Sequence, residues 1–308
     1  MKVLTIGEAL IDLMGDENGR FVPSPGGAPA NVAACISRLG GHANLLTKLS
    51  CDFFGDYLLE QMSLAKIDCS TVVRTNEGKT GMAVVTHNKY GERSFTFYRE
   101  SSADLLLDEN EIEPSWFVEP HILHFCSVSL VEAPIKKAHQ KAIELSKSKG
   151  GLVCFDPNIR VSLWDDLDAY KTTINEFIQY ADILKISDEE LQFITGIEDE
   201  KEAIESLLKK VKVVIYTMGG NGACIFTPNY VVTHPGVETS VVDTTGAGDS
   251  FIGAFLYQLA HHKVDNCLDI KLEQMEEFLS FANTVASYVV SKKGTITIMP
   301  TIEEIKAS

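Results

Sequence analysis

The feature that most restricts the fold is the regular return of short apolar runs with amphipathic stretches between them. Runs at residues 3–6, 43–49, 122–128, 152–156, 183–186 and 213–218 are nearly continuous in apolar character. Residues 31–39, 57–65, 135–146 and 170–180 instead carry apolar side chains at three- and four-residue spacing. Strands apolar on both sides must be covered on both sides, and helices in parallel crossovers supply that cover. The expected fold is α/β, with a mostly parallel central sheet and helices on both faces. The 308 residues suffice for one large domain or two small ones. No linker, repeat or low-complexity segment divides them, so a single domain over 1–308 is expected.

Residues 71–100 break the rhythm with strand-like runs at 71–75, 81–88 and 93–98 and no helix. A turn-rich stretch, Asn88-Lys-Tyr-Gly91, separates the last two. In the final run Phe95 and Phe97 alternate with Ser94, Thr96 and Tyr98, as in a sheet with one apolar face. A small antiparallel sheet is expected here, joined by the 13–27 region, as a lid, an interface or both. An exposed apolar face needs cover, and a second subunit would supply it. A second antiparallel patch is expected at 222–227 and 230–234. Helices follow at 249–262 and 272–292.

A net charge of −16 disfavours nucleic acid and anionic membrane surfaces as partners. Anionic ligands must then be held by local chemistry. The seven cysteines have no zinc spacing and several lie in apolar runs, as expected of reduced, buried thiols in the cytoplasm. The start of the chain reads as a strand rather than a signal peptide, and no apolar stretch is long enough to span a bilayer. His124 reads as a core residue.

The segment richest in chemistry is Val242-Asp-Thr-Thr-Gly-Ala-Gly-Asp-Ser-Phe251. A small-residue turn that opens a helix presents unpaired N–H groups and the positive end of the helix dipole, an anion site. By spacing alone, Asp249 or Ser250 could equally be a simple helix cap. There is no GxxxxGK[ST] and no GxGxxG after the first strand, which disfavours P-loop NTPases and dinucleotide enzymes of the usual kind.

Asp243-Thr-Thr-Gly-Ala-Gly-Asp249 resembles the second signature of the ribokinase-like (phosphofructokinase-B type) carbohydrate kinases, and Pro25-Gly-Gly-Ala-Pro-Ala-Asn-Val-Ala33 resembles the first. Asp156-Pro-Asn-Ile-Arg160, Lys185-Ile-Ser-Asp-Glu-Glu190 and Thr217-Met-Gly-Gly-Asn-Gly-Ala223 match in the family's order, so the likeness covers nearly the whole chain. It implies a ribokinase-like fold and transfer of a phosphoryl group from ATP to a sugar hydroxyl. Asp249 would be the base, with Gly246, Ala247 and Gly248 as the anion hole. Its place near a helix N-terminus predicts a pKa that is not raised. Asp12, Gly26, Gly27, Asn31, Tyr98, Arg99 and Arg160 would bind the sugar. Lys185, Ser187, Thr217, Gly219, Gly220, Gly222 and Asn283 would lie on the nucleotide side. Glu190 would organise Mg²⁺ through water, and Asp243 and Thr245 would hold a monovalent cation, usually K⁺. Ser187 stands where the wider family has Asn, a substitution common in fructokinase-like members.

The stretches at 25–33, 97–106 and 122–130 resemble the fructokinase branch, which makes D-fructose the expected acceptor. 2-Keto-3-deoxygluconate, ribose and an aminoimidazole riboside are alternatives within the family, and a non-catalytic sensor on the same scaffold is a further one. A homodimer through the lid is also expected.

Overall fold

The computed structural model describes residues 1–15, 19–87, 93–118 and 120–307; of residues 87 and 93–95 only the backbone is described. The turn expected at 88–91 and the facing of Ser94 and Phe95 therefore lie outside the described residues. In chain order, β1 (Lys2–Ile6) leads into β2 (Leu10–Gly15) and β3 (Phe21–Gly26). Then come α1 (Ala28–Arg38), β4 (His42–Ser50), α2 (Phe53–Leu64), β5 (Val72–Thr75), β6 (Met82–His87) and β7 (Arg93–Tyr98). A stretch of short 3₁₀ turns precedes β8 (His121–Cys126), α3 (Pro134–Ser148), β9 (Leu152–Asp156), α4 (Leu167–Ile178) and β10 (Ile183–Ser187). The chain continues through α5 (Asp188–Thr195), α6 (Glu200–Leu208), β11 (Val213–Thr217), β12 (Ala223–Phe226) and β13 (Val231–His234). It closes with α7 (Ala247–His261), α8 (Leu272–Val290) and α9 (Ile302–Ala307).

The main sheet has the order β13-β12-β11-β10-β9-β8-β1-β4-β5. Its pairs are parallel from β5 to β11, and β12 and β13 add an antiparallel edge. The pleat sends alternate residues to opposite faces, and both faces are packed. Along β9, Leu152 and Cys154 enter a core shared with α1, α2, α7 and α8, while Val153 and Phe155 enter one shared with α3 to α6. That two-sided burial is why these strands read as unbroken apolar runs.

The 71–100 region differs from expectation in one element. β5 is not part of the lid but pairs in parallel with β4, Thr47 opposite Val72. The physical reason is α2: a helix between two strands returns the chain for a parallel pairing. The lid is a separate sheet of order β3-β2-β6-β7. Its outer pairs are antiparallel but β2 and β6 run parallel, so it is mixed rather than wholly antiparallel.

Register decides which lid residues face inward. Ser24, Asp12, Ala83 and Phe97 stand side by side across the four strands, and Asp12, Ala83 and Phe97 line the cavity below. Tyr98 belongs to the opposite face and is 65% exposed. The chain reaches α1 from β3 through Gly27, whose φ of 108° and whose missing Cβ, which would fall 2.5 Å from the Glu8 carbonyl oxygen, require glycine. No helix among the described residues is long and apolar enough to cross a membrane.

Candidate active site

A cavity of about 610 Å³ lies between the lid and the carboxyl ends of the parallel strands, where open α/β sheets place their ligands. Asp12 from β2, Asn31 from α1, Arg160 from the loop after β9, Lys185 from β10 and Gly246 to Asp249 at the start of α7 all line it.

Asp249 is 8% exposed and stands at the third residue of α7. Its carboxylate does not cap the helix. Oδ2 accepts the Asn31 side-chain amide at 2.8 Å, and Oδ1 accepts that of Asn158 at 3.1 Å. The expectation of a pKa that is not raised is corrected. Desolvation by burial pushes the carboxyl up, and it outweighs the Asn31 and Asn158 hydrogen bonds and the charges of Arg160 and Lys185. The helix end offers little against the loss of water around a buried charge. A raised pKa makes Asp249 a stronger base than its position in the sequence suggested.

Beside it the start of α7 carries only the small residues Gly246, Ala247 and Gly248. Gly246 takes the left-handed φ of 76° that turns the chain into the helix. A Cβ on Gly248 would lie 3.1 Å from Lys185 Nζ. An ammonium group therefore borders the backbone N–H groups, and the pair forms a positive cradle of the kind a phosphoryl group needs. Lys185 is buried, with Nζ 3.2 and 3.1 Å from the two Asp156 oxygens. Burial favours its neutral form, but Asp156, Glu190 and Asp249 outweigh burial and raise its pKa. Asp156 is pushed up to about 7, by burial first and against the pull of Lys185. The proton of this coupled pair resides on the lysine, so the cradle keeps its charge.

Asp12 faces the same space from the lid. Desolvation, then the Asp249 charge, lift its pKa to about 7, while Arg160 pulls it down. It packs on Gly26, where a Cβ would fall 2.1 Å from Asp12 Oδ2. Asn31 has its amide on Asp249, but its buried Oδ1 has no partner among the described residues. A sugar hydroxyl would satisfy that acceptor.

The family comparison decides the class. The model of the pfkB family carbohydrate kinases matches residues 1–302. The chain is a pfkB family carbohydrate kinase. It is 37% identical to fructokinase-2 of Oryza sativa subsp. japonica over 97% of this chain and 91% of that protein. Among solved structures it is similar to a fructokinase of Xylella fastidiosa with bound ATP, at 31% identity and a TM-score of 0.92 over 99% of this chain and 97% of that one. It is also similar to a fructokinase of Vibrio cholerae O395 in a fructose-, ADP- and calcium-bound form, at 33% identity and a TM-score of 0.91 over 99% and 98%.

Against this carbohydrate-kinase frame, the sequence-derived site residues fall into three groups. Asp12, Gly27, Asn31, Arg160, Lys185, Thr245 and residues 246–249 line the cavity, and Gly26 lies under Asp12. Asp243, whose Oδ1 accepts the Thr245 N–H at 2.8 Å, sits just behind the anion loop. A second group lies beyond the cavity at the strand ends. Ser187 ends β10, Thr217 ends β11, and Gly219 and Gly220 are exposed on the turn that follows. Gly222 is held by the hairpin itself, since a Cβ there would meet the His234 carbonyl oxygen at 2.1 Å. Asn283 is buried on α8 and donates to the Leu279 carbonyl at 3.0 Å.

The third group does not reach the cavity. Tyr98 points outward, for the register reason given above. Arg99 is 5% exposed, and its guanidinium is held by Asp104 (Nε–Oδ2 2.8 Å), the Val128 carbonyl (2.8 Å) and Ser129 Oγ (2.7 Å). It fastens the lid strand to the main sheet. Phe97 is the β7 residue that lines the cavity, and the alternation of the 93–98 run carried the signal for it. Glu8 and Asn158 are polar lining residues to which the sequence attaches no role. Glu8 accepts the Ala28 N–H and the Ser129 hydroxyl and so braces the start of α1. Asn158 sits inside a matching segment without a role assigned to it.

The sites for ATP and Mg²⁺ can be tested against the donors present. The glycine turn, the α7 N-terminus and Lys185 suit nucleotide phosphates. Glu190 accepts the N–H groups of Ile159 (2.7 Å) and Ser187 (2.9 Å), one on each oxygen. Each oxygen keeps a lone pair for water, which fits an outer contact to a metal. Among the described residues no group of three or more His, Cys, Asp or Glu side chains forms a cage.

Proposed function

We propose that this chain is an ATP-dependent fructokinase that converts D-fructose and ATP to D-fructose 6-phosphate and ADP. The observation that supports it most is the juxtaposition at the start of α7. A buried carboxylate held by two amides stands next to a glycine-lined helix end and a charged lysine, under a lid that carries a second carboxylate. In this reading Asp12 and the unpartnered Asn31 oxygen orient the sugar hydroxyls, and Asp249 accepts the proton of the attacking hydroxyl. The backbone N–H groups of Gly246 and Gly248 and Lys185 Nζ stabilise the charge on the phosphoryl group in flight, while the Ala247 N–H donates to the Thr244 carbonyl at 3.2 Å and ties the turn. Arg160 lies between Asp12 and Asp249 electrostatically and keeps two neighbouring carboxylates compatible. Bound Mg²⁺ would neutralise the nucleotide phosphates, and Glu190 would reach it through water. Asp243 and Thr245 would anchor a K⁺ ion behind the anion loop.

The likeness to fructokinases of plants and bacteria supports fructose over ribose, 2-keto-3-deoxygluconate or an aminoimidazole riboside. A coupled ADP-release assay with Mg-ATP and K⁺ across those four acceptors tests it. Fructose should give the highest kcat/KM, and preference for another acceptor would keep the kinase and refute the fructose assignment. The homodimer is proposed through the outer face of the lid, where Tyr98 and Phe21 (50%) are exposed. Sedimentation should show a dimer that Tyr98→Asp weakens, and a monomeric parent protein would remove this part. All seven cysteines are unpaired with one another, which suits the reducing cytoplasm as the place of work.

A further inference from the structure

The loop after β9, Asp156-Pro-Asn-Ile-Arg160, is fixed by three different elements. The Pro157 carbonyl accepts the Ser127 N–H at 3.0 Å. The Ile159 N–H donates to Glu190 Oε1 at 2.7 Å, and the Arg160 N–H to the Tyr170 hydroxyl at 3.1 Å. Between these ties Asn158 is held at φ 47°, a left-handed conformation that few residues besides glycine and asparagine accept readily. The result of that turn is that its amide lies 3.1 Å from Asp249 Oδ1. An amide that faces a carboxylate must present its NH₂, since the carboxylate has only acceptors.

We propose that Asn158 is a positioning residue for the base. With Asn31 on the other oxygen, it fixes the rotation of the Asp249 carboxylate and keeps that carboxylate an acceptor aimed at the sugar hydroxyl. Each oxygen then has one lone pair engaged, and the remaining one on the cavity side is directed rather than free to swing. Glu190 gains a second task in this arrangement, because its grip on Ile159 holds the loop that carries Asn158. The inference rests on the reading of Asp249 as the base. The groups that face Asp249 are Asp12 from β2, Arg160 from the same loop, Lys185 from β10 with Asp156 of β9 behind it, and the thiols of Cys35 in α1 and Cys126 in β8. Asn158 is neutral, so its removal leaves this set of charges unchanged.

The test is Asn158→Gly, which accepts the left-handed backbone and deletes only the amide. A fall in kcat of roughly 10–100-fold is expected, with KM for ATP within about twofold. The acid limb of the kcat–pH profile should move up by about one unit, because a hydrogen bond to the ionised form has been lost. Asn158→Asp, which places a second charge on Oδ1, should be worse still. A purely structural role would lower the melting temperature and leave the acid limb where it was, and that result overturns the proposal. If the parent protein phosphorylates none of the sugars, the kinase reading has failed rather than this one. The positioning is then read by ¹³C-carboxyl NMR titration, with Asp249 identified by the signal lost in Asp249→Asn. An Asp249 midpoint that is the same in the parent and in Asn158→Gly refutes it.

Discussion

Asp12→Asn should stabilise the protein at neutral pH while damaging its activity. The native fold lifts the Asp12 pKa from 3.8 to about 7. Roughly three units at about 1.4 kcal/mol each give an upper limit of about 4 kcal/mol for the cost of ionising this group in the folded state. The carboxyl borders the cavity and keeps part of its solvent, so about half of that, ~2 kcal/mol, is a reasonable expectation. The sign follows from proton binding. Between pH 4 and 7 the native state holds the Asp12 proton and the unfolded chain does not, so stability falls as pH rises and the full penalty is present above about 7. Asparagine has the same shape and no charge. Urea melts at pH 4, 6 and 8 should show no gain at the lowest pH and a gain of ~2 kcal/mol at the highest, a shift of a few degrees in Tm. The same variant should lose about 10–100-fold in kcat/KM for the sugar, because a charged acceptor for its hydroxyls is gone. A variant less stable than the parent at every pH, or a gain independent of pH, would refute the electrostatic account of Asp12.

Two further outcomes follow from the same geometry. Asp249→Ala should lower kcat by roughly 10²–10⁴-fold while ATP affinity by calorimetry stays within about threefold; equal loss of both would make Asp249 a structural residue. Lys185→Met should cost about 3–5 kcal/mol in denaturant melts by leaving Asp156 buried without its counter-charge. Adding Asp156→Asn should recover part of that, and no recovery would mean that the pair does not act as a unit.

The β9 and α7 regions show how much was legible in advance. The apolar run at 152–156 coincides with β9 because both faces of the strand enter a core. The glycine turn before α7 was legible because an anion site at a helix start needs small residues there. The raised pKa of Asp249 is not legible in the same way, since sequence shows the helix end but not the burial. β5 was assigned to the wrong sheet for a similar reason. A short apolar strand reads alike in either sheet, and only the crossover through α2 settles its partner.

Arg99 marks the same boundary from another side. Its position at the end of a lid strand suggested a sugar contact, yet it is buried against Asp104, Val128 and Ser129, which follow it by 5, 29 and 30 residues. The class of fold, the order of the elements and the residues of the anion turn follow from periodicity and from neighbours along the chain. Which face of the lid looks inward, which charges are buried, and the meeting of amides from residues 31 and 158 on one carboxylate at 249 emerge only once the chain is folded. Those outcomes depend on desolvation and on register between distant segments, and neither quantity is local to a stretch of sequence.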